Sequence, residues 1–257
     1  MTLTTTTARS ALSRGATWAL DLVYPRRCAG CGEPLATGDR STFCGPCDAA
    51  LPWIVPPICL RCGEPFEVVV PEDAARFAER VCAACRAHPP AYEVARAAFL
   101  FDGPLRKAIH ALKFNGRREI AMPLAVLLHR HATGLEGFLA GIDAVVPLPL
   151  HPRRLRERGY NQAEALAAPF AALAGLPLER SLLIRSRETA PQVGLDRNAR
   201  RANVQDAFAV SEPARAVGRS FMILDDVMTT GATLNSAAHA IRGVGATFVR
   251  VATVARG

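Results

Sequence analysis

The sequence contains few lysines, few aromatic residues and no long apolar run. Of its 31 lysines and arginines only two, Lys107 and Lys113, are lysines, and aromatic residues make up 6% of the 257 positions. The uncharged apolar candidate for such a run, residues 165–178, is interrupted by two prolines and falls short of the roughly 18 apolar residues that a membrane helix requires. We therefore expect no insertion into a membrane.

Residues 1–24 show no secretion signal, because Arg9, Arg14 and Asp21 interrupt any apolar run there. The spacing of four apolar residues predicts an amphipathic helix instead, and these residues are Ala11, Ala16, Leu20 and Val23. We expect a cytoplasmic protein. This expectation bears on the cysteines, since the cytoplasm keeps thiols reduced.

The composition is that of a globular protein with an uneven charge. Half of the residues are hydrophobic and 21% are charged, which excludes disordered, collagen-like and coiled-coil chains. The net charge is +8. Residues 1–91 hold nine arginines and nine acids, so the whole excess belongs to residues 92–257, with 22 basic residues against 14 acids. A positive excess confined to one region favours a polyphosphate site over a generic nucleic-acid clamp.

All eight cysteines lie between residues 28 and 85 and form four Cys-x-x-Cys pairs. Two intervening residues allow both sulfurs of a pair to reach one metal ion, and two pairs complete a tetrahedral zinc site. We predict two structural Zn²⁺ ions in a double zinc ribbon over residues 25–91. The predicted ligands are Cys28, Cys31, Cys44, Cys47, Cys59, Cys62, Cys82 and Cys85.

Three other roles of the cysteines are less consistent with the pattern. Disulfides do not suit a reducing compartment, a thioredoxin-like pair needs a βαβ setting, and iron–sulfur clusters favour tighter spacings. Pairing of consecutive dyads is the simplest ligand partition, but spacing alone leaves an interleaved partition open. We expect chelation to unfold residues 25–88 and to leave the rest folded, since so short a segment needs metal to fold.

From about residue 92 onward the pattern changes to alternating strands and helices. This alternation predicts an α/β domain with a mostly parallel sheet over residues 92–257. The predicted strands are 95–101, 144–147, 182–185, 208–210, 221–225 and 247–254, and the predicted helices are 104–113, 120–131, 161–174 and 233–243.

The most specific motif is the segment 220–233, with the sequence SFMILDDVMTTGAT. A buried strand is followed by Asp225 and Asp226, at the strand end where open α/β sheets bind ligands. The turn that follows leads into a helix whose free N–H groups and dipole suit a phosphate, and it comprises Thr229, Thr230, Gly231, Ala232 and Thr233. Adjacent carboxylates opposite a phosphate suit ribose hydroxyls and Mg²⁺.

This segment resembles the phosphoribosyl diphosphate (PRPP) motif of type I phosphoribosyltransferases. The resemblance implies that Asp225 and Asp226 hold the ribose hydroxyls and that residues 229–233 bind the 5′-phosphate. Three further stretches resemble the ComF family of phosphoribosyltransferase-like competence proteins, namely 113–116 (KFNG), 146–162 (VPLPLHPRRLRERGYNQ) and 189–192 (TAPQ). That resemblance, together with the four cysteine pairs, implies a role in DNA uptake or in the handling of incoming DNA.

Several basic residues are candidates for binding the diphosphate of PRPP. Four arginines lie in the loop that we expect after the 144–147 strand. We select Arg158 with Gly159, because a glycine lets backbone approach a ligand. Lys113 is selected as a rare lysine near a turn. The polar segment 186–204 is a predicted cover for the site, from which Gln192 and Arg197 reach inward.

Two functions follow from these observations. The first is a PRPP- or ribose-phosphate-binding protein that, if it is an enzyme, displaces diphosphate by a nitrogen nucleophile. The second is a non-enzymatic factor that senses PRPP or a nucleotide, or that binds single-stranded DNA or a competence helicase. Nucleic-acid grooves use aromatic stacking surface, and the ribbon segment offers only Phe43, Trp53, Phe66 and Phe77.

Overall fold

The computed structural model describes residues 26–36, 39, 41–66, 80–185 and 207–257. The predicted helix in residues 1–24 and the predicted ligand contacts Gln192 and Arg197 lie outside the described residues.

The core of the structure is a parallel sheet of four strands in the order β1-β6-β5-β2. A second, antiparallel pair is formed by β3 and β4. The strands are β1 (Val94–Leu100), β2 (Ala144–Pro147), β3 (Leu183–Arg185), β4 (Phe208–Val210), β5 (Ser220–Met228) and β6 (Phe248–Arg256). The predicted mostly parallel α/β sheet is confirmed.

Helices cover both faces of this sheet. They are α1 (Gly45–Ala49), α2 (Ala83–Ala87), α3 (Gly103–Phe114), α4 (Ala121–Thr133), α5 (Pro152–Arg158), α6 (Gln162–Ala174) and α7 (Ala232–Gly243). Successive side chains of a strand point to opposite faces, and β5 shows this directly. Met222 and Leu224 join the core with α3, α4 and α6, whereas Phe221 and Ile223 join the core with α7 and the β3–β4 pair.

Two predicted details were wrong. The strand that carries the two acids does not end at Asp225, because β5 continues to pair with β6 as far as Met228. The segment after β2 is not a loop: residues 152–158 form α5, which begins at a proline and ends at Gly159 in the left-handed conformation with φ of 77°. Proline at the first position and glycine after the last are the usual ends of a helix.

The cysteine-rich part contains a structural repeat. The sequences CAGCGEPL (28–35) and CLRCGEPF (59–66) adopt the same turn. In each, the first cysteine N–H donates to the glutamate carbonyl, over 2.8 Å in Cys28 and 2.7 Å in Cys59. The first ribbon is the segment that holds Cys28 to Cys47, and the second ribbon is the one that holds Cys59 to Cys85.

The two ribbons lie against β1, the edge strand of the sheet. Between them, Ile54 donates to Ala98 over 2.9 Å and Leu100 donates to Pro52 over 2.8 Å, while Ala95 donates to Arg61 of the second ribbon over 2.7 Å. Apolar residues of the first ribbon join the core on one face, and those of the second ribbon join the core on the other. The ribbons therefore cover a strand edge that would otherwise be open.

Candidate functional site

A cleft of about 340 Å³ opens where β2 ends beside β5. It brings together most of the predicted ligand-binding residues, although Thr230 and Gly159 are not among its lining residues. The lining includes Lys113, Phe114, Arg154, Arg158, Gln162, Arg185, Asp225, Asp226, Thr229, Gly231, Ala232 and Thr233.

The two carboxylates lie next to each other on the wall of the cleft. Asp225 Oδ1 accepts from the Asp226 N–H over 2.8 Å, and Asp226 Oδ1 accepts from the Val227 N–H over 2.9 Å. Asp226 is only 2% exposed, and its Oδ2 lies 2.7 Å from Lys113 Nζ. Burial, reinforced by Asp226 and opposed by Lys113, raises the pKa of Asp225 well above its ordinary value. The site thus offers the carboxylate oxygens of two adjacent aspartates, with the Lys113 ammonium beside them.

The turn after β5 brings the N-terminus of α7 to the cleft. Gly231 is the residue before the helix and has φ of 74°, a conformation that glycine adopts without strain. It has no side chain with which to cap the helix, and the Ala232 N–H has only a 3.4 Å contact with Thr230 Oγ1. The helix terminus therefore keeps the character of an anion site.

Cations on α5 face the carboxylates from the opposite wall. Arg154 and Arg158 are one helical turn apart, so both lie on the cleft side of α5. Arg158 donates to Gln162 Oε1, and burial lowers the pKa of its guanidinium, an effect that Asp226 and Asp225 oppose. Arg153 instead pairs with Glu157 on the exposed side, at 3.0 Å. The helical period of α5 thus places Arg154 and Arg158 on the cleft side and Arg153 on the exposed side, although the three are close in sequence.

Gly159 has a structural role next to this wall. Its N–H donates to the Leu155 carbonyl over 2.8 Å and closes α5, and its own carbonyl accepts from Arg118 over 2.9 Å. Asn161 then caps α6 by accepting from the Ala163 N–H over 3.0 Å. The glycine allows the two helices to follow each other closely, so that Arg158 and Gln162 meet.

The cysteines form two groups of four, each with its sulfur atoms within 4.8 Å of one another. The groups combine consecutive pairs, Cys28/31 with Cys44/47 and Cys59/62 with Cys82/85, so the interleaved partition is wrong. The Cys44 N–H donates to Cys28 Sγ and the Cys82 N–H donates to Cys59 Sγ, both over 3.3 Å. A hydrogen bond from Cys62, set against burial and aided by backbone N–H groups, lowers the pKa of Cys59 to about 4. Four thiolates so arranged are the donor set of structural zinc.

The second ribbon lies close to the turn of residues 229–233, which we call the phosphate turn because phosphate is its predicted ligand. A second cavity of about 430 Å³ lies between them and is lined by Cys62, Cys85, Tyr92, Thr230 and Asn235, among others. Tyr92 is 3% exposed, and its hydroxyl lies 3.3 Å from where a side chain on Gly231 would begin. Arg256, paired with Met228 in the sheet, donates to the Cys62 carbonyl over 2.7 Å. The ribbon and the turn therefore share supporting residues.

Sequence reasoning missed several residues of the cleft. Gln162 ends the 146–162 stretch, but nothing in the sequence marks it as a ligand, and Arg185 lies in no motif. Arg154 could not be told apart from the other three arginines of its segment until α5 showed which of them face the cleft. Phe114 lies next to the selected Lys113, yet its exposure could not be known from the sequence. In the described part of the chain, no helix has the length and apolar content that crossing a membrane requires.

Comparisons with known proteins match both parts of the chain. The model of the double zinc ribbon domain matches residues 19–86, and that of the phosphoribosyl transferase domain matches residues 160–257. Among solved structures, the chain is similar to a glutamine PRPP amidotransferase from B. subtilis, with a TM-score of 0.38 and 18% identity. That match covers 56% of this chain and 30% of the amidotransferase, a likeness too low to carry an argument.

The curated relatives have names from competence and DNA utilization. The chain is 35% identical over 176 residues to DNA utilization protein YhgH of Salmonella typhimurium, covering 66% of this chain and 75% of the relative. It is 29% identical to Competence protein F of Haemophilus influenzae, covering 68% and 78%, and 26% identical to Competence protein ComFC of Streptococcus pneumoniae, covering 63% and 67%. With a double zinc ribbon followed by a type I phosphoribosyltransferase domain, the chain belongs to the ComF family.

Proposed function

We propose that this protein binds PRPP or a related ribose phosphate, together with Mg²⁺, in the cleft, in a role associated with the uptake or processing of DNA. The observation that carries the proposal is the arrangement of one pair of carboxylates, one helix N-terminus and several cations around one cleft. Asp225 and Asp226 would hold the ribose hydroxyls, and residues 229–233 would bind the 5′-phosphate. Arg154, Arg158 and Arg185 would neutralise the diphosphate.

The carboxylate pair is a suitable site for Mg²⁺. Its oxygens are the ligands that Mg²⁺ prefers, and the pair has only Lys113 as a counter-charge within an ion-pair distance in the described residues. A bound Mg²⁺ would supply charge neutralisation to the diphosphate leaving group. In the protein alone, Lys113 is the positive charge beside the pair, with its Nζ 2.7 Å from Asp226 Oδ2.

If the protein is an enzyme, its residues favour displacement of diphosphate from the anomeric carbon through an oxocarbenium-like state. The described residues that line the cleft include no histidine and no carboxylate besides Asp225 and Asp226. Catalysis would therefore rest on positioning and on neutralising the leaving group. The same lack of another base favours the second function, in which the cleft senses PRPP or a nucleotide without turning it over.

The cysteine groups support two structural Zn²⁺ ions and a cytoplasmic location. Each group has four thiols, so zinc would have no open position for catalysis. None of the eight cysteines forms a disulfide in the structure, which agrees with a reducing compartment.

The test combines ligand binding with turnover. PRPP with Mg²⁺ should raise the melting temperature of the protein, because a ligand that binds only the folded state stabilises it. Asp225→Asn combined with Asp226→Asn should abolish the shift. A diphosphate-release assay over nucleobases then separates enzyme from sensor. No shift of the parent protein at millimolar PRPP would overturn the proposal.

A further inference from the structure

An exposed phenylalanine lies at the mouth of the cleft. Phe114, the last residue of α3, has 65% of its surface exposed and is the most exposed aromatic side chain in the described part of the chain. Exposing so much apolar surface costs free energy in water, and contiguous exposed apolar surface often marks a binding site. Aromatic residues make up only 6% of this chain, so an exposed one at the mouth of the cleft is a candidate contact for a ligand.

Phe114 is one end of a row of three rings, two of them on α3 and the third, Phe101, just before this helix. The rings of His110 and Phe114 are 5.5 Å apart, one helical turn from each other. The rings of Phe101 and His110 are 6.1 Å apart and nearly parallel, with 21° between their planes. These separations are those of aromatic pairs, so the row is a continuous aromatic surface. We call these three residues the ring row.

A guanidinium lies at each end of the ring row. The Arg106 guanidinium carbon is 6.0 Å from the centre of the Phe101 ring, and that of Arg158 is 5.3 Å from the centre of the Phe114 ring. Both separations are within the range of a cation–π contact. A surface of rings with arginines at its ends suits a ligand that is planar and aromatic and also carries phosphate.

The ring row leads into the proposed ribose-phosphate site. Phe101, Phe114 and Arg158 line the same cleft as Asp225 and Asp226. We propose that the ring row, with Phe114 as its principal contact, binds an unpaired nucleobase and presents it to the ribose-phosphate site. The inference rests on the proposed function and names the class of its second ligand.

Unpaired bases come from two sources with the same chemistry. One is a free base or nucleoside, which would be an acceptor, and the other is a base within a single strand. A duplex does not offer this chemistry, because its base faces are already stacked on their neighbours. Among the described aromatic residues of the cysteine-rich part, Phe43 is 4% exposed and Phe66 is half-buried. Trp53 is 42% exposed, but its ring packs against Phe99 at 4.2 Å and it does not line the cleft.

The experiment uses the fluorescent base 2-aminopurine in three forms: the free nucleoside, a short single strand and the matching duplex. Stacking of 2-aminopurine on Phe114 should quench the fluorescence of the probe when it binds the parent protein. Phe114→Leu, which keeps the apolar bulk and removes the π-face, should weaken binding about tenfold, whereas Phe114→Trp should retain it. The control is Met122→Ala, which removes another large exposed side chain, 56% exposed on α4, and should leave binding unchanged.

The outcomes separate this inference from the proposed function. Binding by the nucleoside identifies an acceptor, and binding by the strand alone identifies an unpaired base in a chain. Equal affinity of the parent protein and Phe114→Leu, or equal binding of duplex and single strand, would overturn the ring row as a base site. A melting shift with PRPP and no probe binding by the parent would also overturn it and leave the proposed function standing. Probe binding without a PRPP shift would contradict the proposed function alone.

Discussion

At the scale of residues, the cleft contains two adjacent carboxylates and one lysine. Asp226 is almost fully buried, and a buried charge is tolerated only when it is paired and hydrogen-bonded. Lys113 Nζ, at 2.7 Å, is the charge that pairs with it, while Asp225 next to it has a raised pKa. A buried acid with a second, partly exposed acid beside it costs stability, and such a cost is typical of functional sites.

Lys113→Met should destabilise the protein because it leaves Asp226 without its cation. Removing one partner of a fully buried pair costs about 3–5 kcal/mol, and we expect roughly 2 kcal/mol here, since Lys113 is 21% exposed. Urea unfolding at pH 8 measures the loss.

The chain provides a matched control for this change. Lys107 is its only other lysine and lies on the exposed side of the same helix, α3. Lys107→Met should change the stability by less than about 0.5 kcal/mol, as surface substitutions usually do. Equal losses for the two variants would contradict the pairing.

At the scale of elements, the sequence predicted most strands and helices of residues 92–257 to within one to three residues. Buried strands and amphipathic helices have periodic apolar residues, so their positions follow from local pattern. The short α5 was missed because it has almost no apolar period: of its seven residues, four are arginines. The extension of β5 past the acids was missed because it depends on pairing with β6. The pairing of Lys113 with Asp226 likewise requires the fold, since no local pattern joins such distant positions.

Gly231→Ala should destabilise the protein by more than the strain of the left-handed backbone alone accounts for, because the new side chain also meets its neighbours. A methyl group there would start 2.5 Å from Met228 Cε and 3.3 Å from the Tyr92 hydroxyl, and these side chains, 2% and 3% exposed, have little room to move. The control is Gly175→Ala, which also has a positive φ at a helix end but has open space around it. We expect losses of roughly 1 kcal/mol for Gly175→Ala and about 2 kcal/mol for Gly231→Ala.

Only Gly231→Ala should also abolish the melting shift with PRPP and Mg²⁺, because it displaces the N–H groups of the turn. Thermal unfolding with and without ligand measures both effects. A Gly231→Ala variant that matched Gly175→Ala in stability and kept the ligand shift would show that the turn tolerates a side chain and is not a tight phosphate cradle.

At the scale of the whole molecule, the ribbons and residues 92–257 share their hydrophobic cores. The ribbons lie on opposite faces of the sheet, and each contributes apolar residues to the core on its own face. The chain between them pairs with β1 by backbone hydrogen bonds. Each zinc tetrathiolate would add a charge of about −2, so the metal-bound ribbon part would be acidic and the excess positive charge would remain around the cleft. The ribbons thus cover the strand edge, and Arg256 links the second ribbon to the end of β5, just before the phosphate turn.

Metal removal should therefore expose β1 as well as unfold the ribbons. The amides of Ala95 and Leu100 donate to carbonyls that the ribbon part supplies, and with EDTA their protection from hydrogen exchange should be lost, together with protease resistance of residues 25–88. The interior of the β5–β6 pair, where Ile223 lies opposite Val251, should stay protected. Added Zn²⁺ should restore β1, which controls for damage by the chelator. Persistent protection of Ala95 and Leu100 would show that the ribbons do not hold the edge, and loss of β5 and β6 as well would show that residues 92–257 do not fold without the ribbons.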